Sequence, residues 1–180
     1  MLLELLHVWR DFFIVAATAG AALIGAMFVV ISIGVGFLTR ERLAGTHAYI
    51  TSTVVHLGAV VLASLWTMVP LLDWWSFGGM LIFGGAVAFF YVAAITVAVH
   101  RFSFDWTDYL WYAVLPLAGY AAFVAAGLLS IAADIHAVDP LAAAIVLLLI
   151  CGVRNAWDMI LIIVVRPRPQ AGDEPRSTDR

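Results

Sequence analysis

Five long stretches almost without charge constrain the fold of this chain more than any other feature. They contain 28, 30, 27, 25 and 26 residues and lie between Asp11 and Arg40, Arg42 and Asp73, Asp73 and Arg101, Asp108 and Asp134, and Asp139 and Arg166. Only the last is interrupted, by Arg154 and Asp158. Because about 20 apolar residues cross a bilayer as a helix, each stretch is long enough for one crossing and too short for two.

The composition excludes a water-soluble domain. Hydrophobic residues make up 64% of the chain and charged residues 12%, against about 25% charged in a typical soluble domain. In lipid the backbone must satisfy its own hydrogen bonds, so the crossings must be helices. We therefore predict an all-α integral membrane protein. A single domain over residues 1–165 should contain five transmembrane helices, at about 12–38, 47–69, 76–99, 108–131 and 140–165. The polar, proline-rich tail at 166–180 should be disordered.

The arginines predict the orientation of the chain. One side of the predicted bundle carries a single arginine, Arg10, whereas the other carries seven, namely Arg40, Arg42, Arg101, Arg166, Arg168, Arg176 and Arg180. Since basic loops face the cytoplasm, the N-terminus should lie outside and the C-terminus inside. Trp111 and Tyr112 should belong to an aromatic belt at the inner interface, and Pro116 should kink the fourth crossing.

Several functional classes are excluded or disfavoured. A net charge of −3 gives no attraction to nucleic acid. The single cysteine, Cys151, rules out an intrachain disulfide. Because no phosphate loop, nucleophile elbow or metalloprotease helix is found, we do not expect an enzyme. Only His56 lies deep in a crossing, so no histidine pair for haem is expected, and we predict no cofactor. All nine basic residues are arginine, which favours a GC-rich bacterial genome and an inner-membrane location.

The two charges in the last crossing are the strongest indication of a functional site. At about 1.5 Å per residue, Arg154 lies about 18 Å and Asp158 about 12 Å from the cytoplasmic end of the helix. A charge at a helix centre costs about 2.5–3.5 kcal/mol on insertion scales, so it needs a compensating partner. Arg154 and Asp158 are four residues apart and can pair on one face. Asn155 points about 100° around the helix and can reach a different neighbour.

Polar residues of the second crossing reach the same predicted depth. His56 lies about 12 Å from the inner end, level with Asp158. Tyr49, Ser52 and His56 share one face because they are three and four residues apart. Tyr91 and Tyr120 in the third and fourth crossings lie in the same inner half of the membrane. Such a set can fix helix packing, line an ion or proton route, or contact a partner subunit.

A weaker cluster is expected on the outer side. Glu4, His7 and Asp11 lie three and four residues apart, and His136 belongs to an acidic loop on the same side. Carboxylates and imidazoles together can bind a divalent cation. A solvated stripe explains the same pattern.

Small residues recur at four-residue spacing in two crossings, as they do where membrane helices pack closely. The first has Ala17, Ala21 and Gly25, and the fourth has Ala118, Ala122, Ala126 and Ser130. The third carries the pairs Gly78-Gly79 and Gly84-Gly85. We expect these residues to hold the protomer together or to join protomers.

Two functions are compatible with these observations. The first is a small, homo-oligomeric channel or transporter-like protein that passes a small ion or proton by way of Arg154, Asp158 and His56. The second is a non-catalytic accessory or assembly subunit of a larger membrane complex. The first is the leading interpretation, and the support for the second is the small-residue faces together with the lack of catalytic motifs.

Overall fold

The computed structural model describes residues 2–34, 40–70, 73–99 and 106–165 of the chain. This part contains helices and turns and no strands, which confirms the all-α prediction. The α-helices are α1 (Leu2–Val8), α2 (Arg10–Gly34), α3 (Arg40–Trp66), α4 (Trp74–Val99), α5 (Trp106–Tyr109), α6 (Leu115–Ile131) and α7 (Val138–Val165). A π-helical turn, Leu110–Val114, joins α5 to α6, and a 3₁₀ turn, Ile135–Ala137, precedes α7. The predicted tail at 166–180 lies outside the described residues.

Four helical segments are long and apolar enough to cross a membrane. They are Arg10–Ser32, Trp74–Val97, Leu110–Ile131 and Ile135–Asp158. The described apolar part of α3 is shorter and covers Ser52–Trp66. The length and composition of these segments fit a membrane protein with several transmembrane helices.

Helix α7 occupies the centre of the bundle. Half of its apolar segment is buried inside the protein, compared with 17% for the segment of α4. It packs against α2, α3 and α6, while α2 also packs on α3 and α4 on α6. One continuous apolar core includes Phe13 of α2, Val60 of α3, Phe77 of α4, Phe123 of α6 and Leu148 of α7. The helix that carries the two predicted intramembrane charges is therefore the most buried of these four apolar segments.

Helices α4 and α6 approach each other most closely at Gly78 and Gly127. A Cβ atom added to Gly78 would lie 2.5 Å from the Gly127 carbonyl oxygen, and one added to Gly127 would lie 2.6 Å from the Gly78 carbonyl oxygen. Side chains larger than hydrogen would separate the two backbones here. Gly79 and Gly84 are not part of this contact, since a Cβ atom at either position would meet nothing within 4 Å.

The small-residue stripe expected on the first crossing does not make the close contact of α2 within the protomer. Ala21 and Gly25 are exposed, and a Cβ atom on Gly25 would meet nothing within 4 Å. The close contact of α2 is made instead by Gly20, where a Cβ atom would lie 2.9 Å from Val61 Cγ2. The four-residue spacing is satisfied by more than one face of this alanine-rich helix, so spacing alone does not select the face that packs within the protomer.

The start of α4 is fixed by an N-cap. The Oδ1 atom of Asp73 accepts a hydrogen bond from the backbone N–H of Ser76 at 2.6 Å. Hydrogen bonds from the side chain and backbone of Ser76 hold the pKa of the Asp73 carboxyl below its usual value. The ionised carboxylate therefore stabilises the helix start at neutral pH, and this contribution is lost as the pH falls through the lowered pKa.

The segment before Pro116 is wound as a π-helix. The backbone N–H of Leu115 donates to the carbonyl of Leu110, five residues earlier, instead of to the carbonyl four residues earlier. Proline has no N–H and its ring crowds the preceding turn, so the backbone must adjust there. The distortion expected at Pro116 thus takes the form of one wide turn, which changes the direction in which Trp111 and Tyr112 project.

Candidate functional site

Three polar side chains form a hydrogen-bonded chain in the core of the bundle. The Nδ1 atom of His56 lies 2.7 Å from the Tyr120 hydroxyl, and its Nε2 atom lies 3.1 Å from the Ser52 hydroxyl. His56 and Tyr120 are completely buried. A neutral imidazole has one donor and one acceptor nitrogen, and a hydroxyl can both donate and accept. The direction of the bonds along this chain can therefore reverse when the histidine changes tautomer. We call these three residues the core triad.

Helical spacing and one glycine place the core triad. Ser52 and His56 are four residues apart on α3, so they lie on one face. Tyr120 follows Gly119 on α6, where a Cβ atom would lie 3.0 Å from Leu148 Cγ. The missing side chain brings α6 and α7 together and leaves Tyr120 among apolar atoms, including the ring of Phe123. In these surroundings the hydroxyl needs a polar partner, and His56 supplies it.

A second cluster joins α7 to the π-helical turn. The Nε atom of Arg154 donates to Asp158 Oδ2 at 3.1 Å, and the Tyr112 hydroxyl donates to the same oxygen at 2.8 Å. The guanidinium carbon of Arg154 lies 5.8 Å from the ring centroid of Trp111, within the range of a cation–π contact. We call these four residues the charge cluster. Its Arg–Asp pair is the one expected from the four-residue spacing.

The charge cluster lies at the surface of the protomer. The side chain of Arg154 is 41% exposed and that of Asp158 is 22% exposed. The ion pair is therefore compensated but only partly covered by its own chain. In a membrane, a charged side chain in this position faces a water-filled cavity, a lipid headgroup or another protein.

The two clusters lie at different levels of the bundle. Tyr120 of the core triad and Tyr112 of the charge cluster are eight residues apart, which corresponds to about 12 Å along a helix. The ring nitrogens of His56 reach Ser52 and Tyr120, while the carboxylate of Asp158 reaches Arg154 and Tyr112. The structure thus distributes the predicted constellation over two hydrogen-bonded clusters instead of one.

Asn155 is buried between the clusters. Its side chain is 4% exposed, and neither Oδ1 nor Nδ2 has a hydrogen-bond partner among the described residues. It is four residues from Cys151, which is also buried, and three from Asp158, so all three lie along one side of α7.

The remaining predicted pathway residues are not part of either cluster. Tyr91 lies on α4 with 38% of its surface exposed. Tyr49 lies outside the residues whose side chains the structure describes. Thr53, next to Ser52, is buried in the same region of α3.

The outer acidic cluster does not form a metal site in the described part of the chain. No group of three or more His, Cys, Asp or Glu side chains there is placed to hold a metal ion. Glu4, His7 and Asp11 are all exposed. His136 has a local role, because its Nδ1 atom lies 3.1 Å from Asp139 Oδ2 and its backbone N–H donates to Asp134. The solvated interpretation of this cluster agrees better with these contacts.

Two residues of the clusters have contacts that the sequence did not predict. Tyr112 was expected in an interfacial aromatic belt, yet it donates a hydrogen bond to Asp158. Tyr120 was noted only as one of several polar groups in the inner half of the membrane, yet it is the partner of His56. Its position four residues after Pro116 and beside Gly119 gave no sign of which neighbouring helix it would face.

Comparison with known proteins adds no assignment. No family model, curated protein or solved structure matches the chain.

Proposed function

We propose that this chain is a non-enzymatic, multi-pass protein of a bacterial inner membrane that carries protons across the bilayer. In this proposal α3 supplies a fifth crossing, the N-terminus lies outside, and the arginine-rich C-terminus lies in the cytoplasm. The distribution of one arginine against seven supports this orientation. A homo-oligomer is the proposed functional form.

The observation that carries the proposal is the core triad. A histidine with a hydroxyl on each ring nitrogen can accept a proton on one side and release one on the other. All three groups lie within helices of the bundle, and two are completely buried. Metal ions would need several oxygen or nitrogen ligands at one point, whereas a proton needs only a connected series of hydrogen bonds. The triad therefore favours protons over other small cations.

The charge cluster has an electrostatic role in this proposal. A positive guanidinium within the membrane raises the barrier to other cations. Asp158 compensates part of that charge and provides a carboxylate that can accept a proton. Arg154 would thus contribute selectivity, and Asp158 would contribute a proton-binding group at the inner end of the route.

Proton flux into liposomes tests the proposal. The purified protein is reconstituted with a pH-sensitive dye inside the vesicles, and a potassium diffusion potential drives proton entry. Tyr120→Phe removes only the hydroxyl that bonds His56, so it should lower the flux by about tenfold or more, the scale expected for a lost proton-transfer group. Tyr91→Phe makes the same change at an exposed tyrosine and should leave the flux unaltered. Flux no greater than that of empty vesicles for the unaltered, folded protein would reject the proposal.

The exposed charge cluster supports a second candidate, an accessory or assembly subunit. Arg154 and the neighbouring Trp157, which is 58% exposed, present a charge and a large aromatic ring on the outside of α7. Another protein covering this surface would remove the charge from lipid. Purification under native conditions in mild detergent separates the two functions. A foreign subunit present in fixed ratio supports the accessory role, whereas an assembly of identical chains supports the transport role.

A further inference from the structure

Helices α6 and α7 lie side by side between the core triad and the charge cluster, and their contacts show which residues are at the same level. On α6, Pro116 is completely buried midway between Tyr112 and Tyr120. On α7, Asn155 lies between Cys151 and Asp158. Tyr112 contacts Asp158, and Gly119, next to Tyr120, packs against Leu148 of α7. Pro116 and Asn155 therefore occupy the same level of the α6–α7 contact.

Asn155 brings unsatisfied polar atoms to this level. An isolated amide buried in an apolar environment costs about 1–3 kcal/mol by protein mutational data unless it is hydrogen-bonded. Buried Ser64 and Ser130 also lack side-chain partners among the described residues. A serine hydroxyl in a helix can turn and donate to the carbonyl of the preceding turn. The amide of Asn155 has both a donor and an acceptor group to satisfy and is too long for that local solution.

The π-helical turn before Pro116 also leaves one backbone carbonyl without a helical donor. The Leu115 N–H is used by the carbonyl of Leu110, and the next residue, Pro116, has no N–H. The carbonyl of Trp111 could accept a hydrogen bond from the N–H of residue 115 or residue 116. Because the first is already used and the second does not exist, this carbonyl has no helical donor. Backbone carbonyls released in this way inside a membrane protein are tolerated where they face protein or water.

We infer that Asn155 holds bound water molecules between the two clusters, and that a short series of them joins the clusters into one hydrogen-bonded route from Ser52 through His56 and Tyr120 to Asp158. Water can donate to Oδ1 of Asn155 and accept from Nδ2, which satisfies both amide groups. An alkali cation would bind Oδ1 alone and would add a positive charge close to Arg154. The observations therefore favour water as the ligand. The water site itself is independent of the proposed function, but its role in conduction rests on proton transport.

The single cysteine allows the water to be detected without any transport assay. Cys151 is the only thiol in the chain, and it is one helical turn from Asn155. The S–H stretching band in the infrared spectrum is therefore unique, and its loss in D₂O measures how quickly water reaches this level. After division by the intrinsic exchange rate of each group, which is much higher for a thiol than for an amide, we expect the thiol of the unaltered protein to exchange about tenfold or more faster than the protected amides of the surrounding helices, which exchange only after local opening. Exchange as slow as that of those amides would overturn the inference.

Two substitutions extend the test. Asn155→Leu keeps a similar volume but removes both polar groups, so it should slow thiol exchange by about tenfold or more, to the rate set by local opening. Asn155→Ser keeps a polar group and leaves room for water, so its thiol should exchange as rapidly as in the unaltered protein. Unchanged exchange in Asn155→Leu would overturn the water site. The unaltered protein still provides a decisive measurement if Asn155→Leu does not fold.

Flux measurements separate this inference from the proposed function. If water completes the route, Asn155→Leu should lose proton flux together with rapid thiol exchange. Tyr120→Phe should lose flux while its thiol still exchanges rapidly. Flux that disappears in Tyr120→Phe but persists in Asn155→Leu would reject the connecting route and leave the core triad as the transport element. Rapid, Asn155-dependent thiol exchange without flux in the unaltered protein would support the water site and reject proton transport.

Discussion

At the scale of single residues, the decisive contacts are those of the two intramembrane charges. Arg154 and Asp158 are paired within α7, and Tyr112 holds the same carboxylate oxygen from the neighbouring helix. Removal of either charge leaves the other without compensation in a poorly polarisable environment, whereas removal of both leaves no net charge. Asp158 has a second hydrogen-bond donor, so loss of Arg154 does not deprive it of every partner.

We predict that Arg154→Ala and Asp158→Ala each lower the yield of folded protein several-fold and that the double substitution recovers much of the loss. Monodispersity in detergent and membrane yield provide the measurement. Arg10→Ala, which alters an exposed arginine at the start of α2, serves as the control and should retain the full yield. Losses that simply add in the double variant would show that the two charges are not coupled. If the pair has only a structural role, activity returns with folding; if it belongs to the transport route, the recovered protein remains inactive.

Local pairing was predictable from the sequence, but pairing between helices was not. Arg154 and Asp158 are four residues apart, and helical geometry alone brings them together. Tyr112 and Tyr120 reach their partners only because α6 has a particular rotation and depth relative to α7 and α3. That arrangement depends on the packing of the whole bundle, which the charge pattern of a single sequence does not determine.

At the scale of helices, the closest contacts lie at individual glycines, while the predicted small-residue stripe is packed on α6, where Ala126 and Ser130 are buried, and largely exposed on α2. Charge-free length was sufficient to predict which segments are helical, because in lipid the backbone has few alternatives. It could not select the contact face, since small residues are present on several sides of α2 and α4. Gly78 and its neighbour Gly79 illustrate the limit. They are adjacent in sequence, yet only Gly78 touches α6.

We predict that Gly78→Ala lowers the stability of the bundle by about 1–3 kcal/mol, the range found for overpacked sites. The added Cβ would lie 2.5 Å from the Gly127 carbonyl oxygen and 2.7 Å from Ile131 Cγ1, so α4 and α6 would have to separate. Gly79→Ala is the matched control and should be neutral or slightly stabilising, because alanine favours helix and meets nothing at this position. Reversible unfolding in mixed detergent measures both. Equal effects of the two substitutions would contradict the close contact at Gly78.

At the scale of the whole molecule, the bundle places the helix with the paired charges against three neighbouring helices. Helix α7 packs against α2, α3 and α6, and it carries Arg154, Asn155 and Asp158 in the second half of its length. Pro116 and the π-helical turn bring Trp111 and Tyr112 to the same region. The architecture thus gathers polar contacts around one helix and leaves much of α4 exposed on the outside of the bundle.

The number of crossings determines where the two ends of the chain lie. Four helical segments satisfy the length and hydropathy of a full crossing, while the apolar part described for α3 covers only Ser52–Trp66. If α3 crosses, the total is five and the ends lie on opposite sides. If α3 remains in the interface, the total is four and both ends lie on the same side. The location of the two ends is therefore a direct test of the role of α3.

We predict five crossings, with the N-terminus outside and the C-terminus in the cytoplasm. A phosphatase reporter, which is active only outside, should be active when fused ahead of residue 1 and inactive after residue 180. A fluorescent reporter that matures only in the cytoplasm should give the reverse pattern. Fusions in the loop at Asp73 supply the internal control, because that loop should be outside. Two ends on the same side would exclude α3 as a crossing, and a cytoplasmic N-terminus with an external C-terminus would show that the arginine bias does not orient this chain.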